Sequence, residues 1–282
     1  MHTHKCSVKK DFLEEQSVLR KICRFLIFFA FLCLSIATQQ TKAQTITPKV
    51  EVPDWALPGS ASHTQVPPPA DFHRTTRTEA KAIGIFTGQS DVGAALVSGS
   101  SDYNPVTKQY RIVSAGYNVW YQRDEFRYLW VETSGDVSLS ADVDFPDTAG
   151  YDDRKAFVVI RQSLDDDSKE AVVALHGGGL LHLAWRPQKG QLMKEVRINH
   201  RKAMTDLISG QITRIGIQKR GESFTLSAGT LNDPIHQAGD VIQLHLDPPF
   251  YVGIGFCSHL PAKTDTALFS KVILVNPAGT QP

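Results

Sequence analysis

Between Ser134 and Arg186 the chain alternates apolar and polar residues in short segments broken by turns. Val137, Leu139, Ala141 and Val143 share one parity, and Ser138, Ser140 and Asp142 share the other. A period of two is what a strand needs when one face of its sheet rests on a core. The run Lys155–Arg161, a loop of three aspartates and a glycine-turned hairpin from Ala171 to Arg186 follow. Helical periodicity is weak throughout.

The same pattern extends over the chain from about Glu79 to Asn276. Strands are expected at Gln109–Ala115, Glu125–Glu132, Val137–Phe145, Ala156–Gln162, Ala171–His176, Leu180–Arg186, Val196–Asn199, Gln211–Lys219, Ser223–Ala228, Val241–Leu246, Tyr251–Ser258 and Ala267–Val275. Turn residues separate them, as at Ser134-Gly135-Asp136 and Asp247-Pro248-Pro249. Many short strands with regular turns predict an all-β fold, an antiparallel β-sandwich of the jelly-roll type.

The N-terminal part reads differently. Lys21 and Arg24 precede the apolar run Phe25–Ala37, and Thr41-Lys42-Ala43 follows it. This is the order of a signal peptide, residues 1–43, with cleavage after Ala43. The run is shorter than the roughly 20 residues that span a membrane. Residues 44–78 are rich in Pro, Thr and Ser around Pro67-Pro68-Pro69 and read as a stiff spacer, and residues 277–282 as a tail. The protein is therefore expected to be exported, periplasmic or extracellular. Of the four cysteines only Cys257 lies beyond residue 43. An internal disulfide is then excluded, and Cys257 in its apolar strand reads as a buried thiol. The net charge of +1 comes from scattered residues. Without a basic stripe, nucleic acid is not an expected partner.

Ligand chemistry is expected on the hairpin. With Gly177–Gly179 as a three-residue turn, Ala174 faces His182 and Val172 faces Ala184. One parity, Leu175, Leu181, Val173, Leu183, Ala171 and Trp185, should be core. The other carries His176, His182 and Arg186 between alanines, a shallow concave surface. Trp120, Tyr121, Asp124 and Arg161 would complete a ring suited to a glycan, with His259 beyond it. Phe126, Tyr128 and Trp130 alternate as core residues do.

Other constellations read more plainly. Asp165-Asp166-Asp167 is where calcium would bind, but the loop lacks the glycine and terminal glutamate of an EF-hand and reads as a solvated turn. Asp142 and Asp144 share a face roughly 6–7 Å apart and are the best available acid/base pair, while Glu125 and Glu132 fall on opposite faces. His176, His182, His245 and His259 have no metal-site spacing. Ser258-His259 lacks a nucleophile elbow, and Gly177–Gly179 lacks the helix of a phosphate loop.

Several stretches resemble a family of exported concanavalin A-like sandwich domains. They are Ala115–Trp120 with Asp124-Glu125-Phe126, Ser134–Val137, Arg154-Lys155-Ala156, Ile160–Asp165, Ala174–Gly177, Tyr251–His259 and Ala267–Val272. The resemblance spans Ile83 to Val275. It implies a concanavalin A-like jelly roll, often labelled TolB-like or a biopolymer transporter by association with propeller repeats, and distantly like the accessory domain of β-xylosidases. It carries no catalytic residues over. Here Asp153 stands where the family has His, and Ala184-Trp185-Arg186 where it has Gln-Tyr-Arg. The functional expectation is a non-catalytic module that binds a glycan or another cell-envelope component, with no cofactor unless calcium. A glycosidase or lyase with concave-face carboxylates, and an interaction domain for an envelope protein, stay open beside it.

Overall fold

Sheet I of the computed structural model has the order β1-β2-β5-β15-β7-β8-β9-β10. Numbered along the chain, its strands are β1 (Arg77–Glu79), β2 (Gly88–Val92), β5 (Phe126–Thr133), β7 (Lys155–Arg161), β8 (Glu170–His176), β9 (Leu181–Arg186), β10 (Lys194–Glu195) and β15 (Phe250–Cys257). Sheet II runs β13-β12-β11-β6-β16-β4-β3, with β14 also paired to β12. Its strands are β3 (Ser100–Asn104), β4 (Gln109–Ser114), β6 (Val137–Asp144), β11 (Ile212–Arg220), β12 (Ser223–Thr230), β13 (His236–Gln237), β14 (Ile242–Gln243) and β16 (Asp265–Val275). The structure describes residues 73–196, 212–230 and 234–276. The expected signal peptide, most of the spacer, residues 197–199 of one expected strand and the tail lie outside them.

Every named pairing is antiparallel, and the described residues contain no helix. The chain is an all-β, antiparallel β-sandwich. Val137, Leu139, Ala141 and Val143 of β6 enter the shared core with Ile215 and Ile217 of β11 and Phe224 and Leu226 of β12. From sheet I, Val158, Ile160, Val173, Leu183, Val252 and Ile254 meet them. Full burial of each such side chain contributes about 1.5–3 kcal/mol, so this alternation is the principal source of the fold's stability. The hairpin register is as the parity predicts: Ala174 opposite His182, Val172 opposite Ala184, and the His176 N–H donating to the Leu180 carbonyl at 2.9 Å.

The centre of sheet I is buried on both faces, which is why β7 and β8 read as nearly continuous apolar runs. Its second face carries Phe126, Tyr128, Phe157, Val159, Val172, Ala174 and Ala184. Phe126 and Tyr128 are thus buried, but on the face away from sheet II. Gly88 lets Trp130 lie flat over its strand, because a Cβ there would occupy the indole ring. Residues 73–79, expected to end a spacer and begin the domain, cross the edge of this face. Thr76 Oγ1 donates to the Leu164 carbonyl at 2.7 Å, and β1 pairs with β2.

One expected strand shortens, two unexpected strands appear, and the reading of Cys257 as a buried thiol holds. The segment 241–246 contributes only the two-residue β14. β2 and β3 are strands without a strong apolar alternation, Gly-Gln-Ser-Asp-Val and Ser-Ser-Asp-Tyr-Asn, and neighbouring strands supply their order. Cys257 is fully buried, and burial pushes its thiol up to about 11, so it stays protonated at neutral pH.

Candidate functional site

Three neighbouring strands set the polar chemistry of the second face. β7 presents Lys155 at one end and Arg161 at the other, β8 presents His176 and Glu170, and β9 presents His182 and Arg186. Six residues of strand separate the two ends, about 20 Å. Between them lies the apolar floor of Phe157, Val159, Val172 and Ala184.

At the first end Asp124, Arg161, Glu170 and Arg186 are fully enclosed. Arg186 grips Asp124 with two bonds, Nη2 to Oδ1 at 2.7 Å and Nη1 to Oδ2 at 2.8 Å. Arg161 Nη2 reaches Asp124 Oδ2 at 3.3 Å, and Glu170 lies 3.4–3.5 Å from both arginines. The remaining donors tie down loops. Arg186 donates to the carbonyls of Trp120 (3.1 Å), Tyr121 (3.3 Å) and Gln191 (3.1 Å), and Arg161 to those of Ser163 (2.9 Å) and Asp165 (2.6 Å). Two cations and two anions balance one another, as buried charge must. Burial and the adjacent Asp124 raise the Glu170 carboxyl. Asp124, Arg161 and Arg186, expected to touch a glycan, do come together, but beneath a roof and with most of their hydrogen bonds made to each other and to the backbone; Arg161 Nη1 and Glu170 Oε2 are held only as an ion pair at 3.5 Å.

That roof is residues 115–125. Val119 and Asp124 pair as an isolated antiparallel bridge, so Trp120 to Arg123 form a tight tip. Glu125 is enclosed beside it and pairs with Arg74 at 2.8 Å and Arg123 at 2.5 Å. Trp120 connects the two ends of the face: its carbonyl is held by Arg186, while its partly buried ring lies 4.4 Å from the His182 ring.

The second end has no such balance. Lys155 is 3% exposed, and its ammonium donates to Asn118 Oδ1 at 2.7 Å and the Asp153 carbonyl at 3.3 Å. His176, directly across the ladder, is 6% exposed, and neither ring nitrogen has a hydrogen-bond partner. Its Nδ1 stands 3.4 Å from Asp153 Oδ1, without hydrogen-bond geometry. The His182 ring is 5.6 Å from that of His176. Burial, aided by Lys155, lowers His176 to about 2 and His182 to about 4. Burial also lowers the Lys155 ammonium. His259 borders the cluster in a left-handed conformation (φ 63°), its ring 5.6 Å from Tyr117 and stacked at 5.5 Å on Tyr151. A strained backbone beside several perturbed groups is typical of a functional site. Here the expected residues Trp120, His176, His182 and His259 gather.

Lys155 is the member that site prediction from the sequence misses. It precedes an unbroken apolar strand, where a lysine reads as a solvated strand end. Its parity with Arg161, and its position across the hairpin from His176, are the signals that reveal it. Asn118, its acceptor, comes from the roof and has no local signal.

The remaining candidates lie elsewhere. Asp142 and Asp144 point from the outer surface of sheet II, away from sheet I. Asp142 is paired with Arg214 (2.5 Å) and Lys271 (3.1 Å), which hold its carboxyl below the usual range. The three aspartates diverge: Asp165 and Asp167 flank Lys189, and Asp166 accepts from the Arg74 N–H and pairs with His73. They line a cleft of about 550 Å³ with residues 73–76 and Thr78. His245 is exposed between Glu222 and Asp247, apart from the other histidines. Among the described residues, no group of three or more His, Cys, Asp or Glu is arranged to hold a metal ion.

No family model matches the chain, and no curated protein does. Among solved structures, a functionally unknown protein from Saccharomyces cerevisiae is 15% identical, over 64% of this chain and 93% of that one, with a TM-score of 0.43. A xylan β-1,4-xylosidase from Bacillus halodurans is 11% identical over 74% of this chain, with a TM-score of 0.46, and only 41% of that enzyme's length is covered. Lectin I-B4 from Griffonia simplicifolia is 11% identical over 72% and 99%, with a TM-score of 0.38. These likenesses give the TolB-like or transport label no support. TM-scores below 0.5 leave the function to be argued from this chain's own residues.

Proposed function

We propose that this sandwich is a non-catalytic carbohydrate-binding module of an exported protein, taking a sugar ring against Trp120 and His182 at the lysine–histidine end of sheet I. The carrying observation is the partly buried Trp120 ring, 4.4 Å from His182 and fixed through its carbonyl by Arg186. Sugar rings have apolar faces that stack on an indole, and nearby polar groups then orient the hydroxyls. His176, His182 and Asp153 supply those groups here. The carboxylates of this face favour binding over hydrolysis. Glycoside cleavage needs two carboxyl groups open to the scissile bond, and Asp124 and Glu170 are enclosed with two arginines.

A glycan array tests the reading. The purified protein should retain a defined set of glycans, and Trp120→Ala should weaken retention about tenfold or more, the scale of one lost aromatic contact. Retention of no glycan, or equal retention by the variant, would overturn it; capture of an envelope protein instead would support the interaction-domain alternative. Export rests on the leader-like residues 1–43. N-terminal sequencing of the protein recovered outside the cytoplasm should begin at Gln44, and exclusive recovery from the cytoplasm would remove the export proposal.

A further inference from the structure

The ends of β7, β8 and β9 that carry Lys155, His176 and His182 collect bases without collecting acids. Lys155 and His176 face each other across the ladder, and His182 follows on the next strand. The charged and titratable groups that face His176 are Lys155 and Asp153 from the β7 side, His182 from β9, and His259 from the turn after β15. Asp153 is the single carboxylate among them, and its side chain is 40% exposed. At the opposite end of the same strands, two arginines meet two enclosed carboxylates. The arginine end thus pairs its charges with one another, while the lysine end encloses a His176 ring with both nitrogens unpartnered.

A buried polar atom without a partner is costly, on the order of 1–3 kcal/mol, and such a group in a native structure requires an explanation. His176 has two such nitrogens in one ring that is more than nine-tenths enclosed. Lys155 has three donors and two recorded acceptors, both on neighbouring protein segments. A carboxylate has two oxygens and no donor, and charge-assisted bonds to an ammonium and an imidazolium are the strong class.

We infer that this end of sheet I binds the carboxylate of an acidic sugar, a hexuronate unit, with Lys155 and His176 on the carboxylate and Trp120 beside the ring. The inference rests on the saccharide reading above and adds the chemical class of the sugar. Asp153, the single carboxylate beside His176, opposes the anion and limits its affinity. Binding of the anion favours protonated imidazole, so complex formation takes up protons. Affinity then rises as pH falls, by up to about tenfold per pH unit for each proton taken up.

The test is histidine NMR of the full-length protein, titrated separately with glucuronate, galacturonate, mannuronate, glucose and acetate. At pH 6, at least one hexuronate should move the His176 and His182 ring signals toward their protonated positions, and glucose should not. Lys155→Gln should weaken that response about tenfold, the scale of one lost charge-assisted bond. Because Lys155→Gln disturbs a buried group, Asp153→Asn serves as the second variant: it touches a half-exposed side chain and should tighten hexuronate binding severalfold. No response to any of the three hexuronates overturns the inference. An Asp153→Asn variant that binds hexuronate no better overturns the opposing role of Asp153. The two readings fail separately. Trp120-dependent retention of neutral glycans, with no histidine response to hexuronates, removes the anion and keeps the sugar. A response to acetate equal to that for the hexuronates keeps the anion and removes the sugar.

Discussion

The two ends of β7, β8 and β9 are built from the same materials and do opposite things. At one end, Arg161 and Arg186 meet Asp124 and Glu170, every group is enclosed, and the spare donors bind backbone carbonyls of three loops. At the other, Lys155, His176 and His182 crowd together with a single half-exposed carboxylate nearby. The lesson is that burial of charge is not by itself a mark of function. A balanced buried cluster acts as a clamp, here holding residues 115–125 over the sheet. At the other end both His176 ring nitrogens are left unpartnered, polar capacity for something outside the chain. Trp120 links the two, since the clamp grips its backbone and the base cluster its ring.

The clamp should show the largest effect. Arg186→Met removes the bidentate partner of Asp124 and leaves buried carboxylates unpaired, at a cost of about 3–5 kcal/mol in urea unfolding. Arg186→Lys should recover little of it, because an ammonium cannot reproduce the forked geometry. A loss under about 1 kcal/mol would mean that the roof is held by its apolar contacts.

Next comes the pH response of the base cluster. The folded pKa values of His176 and His182 lie below the free value, at about 2 and about 4. Below pH 6.5 each of these two histidines therefore binds more proton in the unfolded chain than in the folded one, and the stability they contribute falls as pH falls, partly offset by the raised Glu170 carboxyl. The decline should run from about pH 6.5 to about 4 with a limiting slope of about 1.4 kcal/mol per pH unit for each histidine, and continue more gently below as His176 alone remains neutral. His176→Gln should remove one histidine's share of the slope between pH 6 and 5, about 1.4 kcal/mol per pH unit at the limit. An unchanged slope would mean that this imidazole is hydrated in solution.

Trp120→Ala should separate function from folding. Its ring is half-buried, so about 1–2 kcal/mol of stability should be lost while glycan retention collapses. Equal loss of both would return Trp120 to a packing role. Smallest of all, Asp142→Asn breaks a partly exposed ion pair on the far sheet and should cost about 1 kcal/mol with no change in glycan retention. An effect on retention would tie sheet II to the site.

The sandwich itself was readable from local pattern. Alternation in β6, the apolar run of β7 and the length of the glycine turn together determine which side chains face the core and which residues oppose each other, because strand parity is local geometry. That same parity put His176, His182 and Arg186 on one face. It could not separate them into a site and a clamp. The difference depends on residues 115–125 folding across the sheet from far away in the chain, bringing Asp124 to Arg186 and Asn118 to Lys155. β2 and β3 escaped notice for a related reason: their short polar sequences are ordered by the strands beside them. The sequence by itself determined the layers, the register and the polar face. Tertiary structure alone decided which buried charges found partners, because a charge's partner is set by distance in space, and distance in space is not written in the local period of a strand.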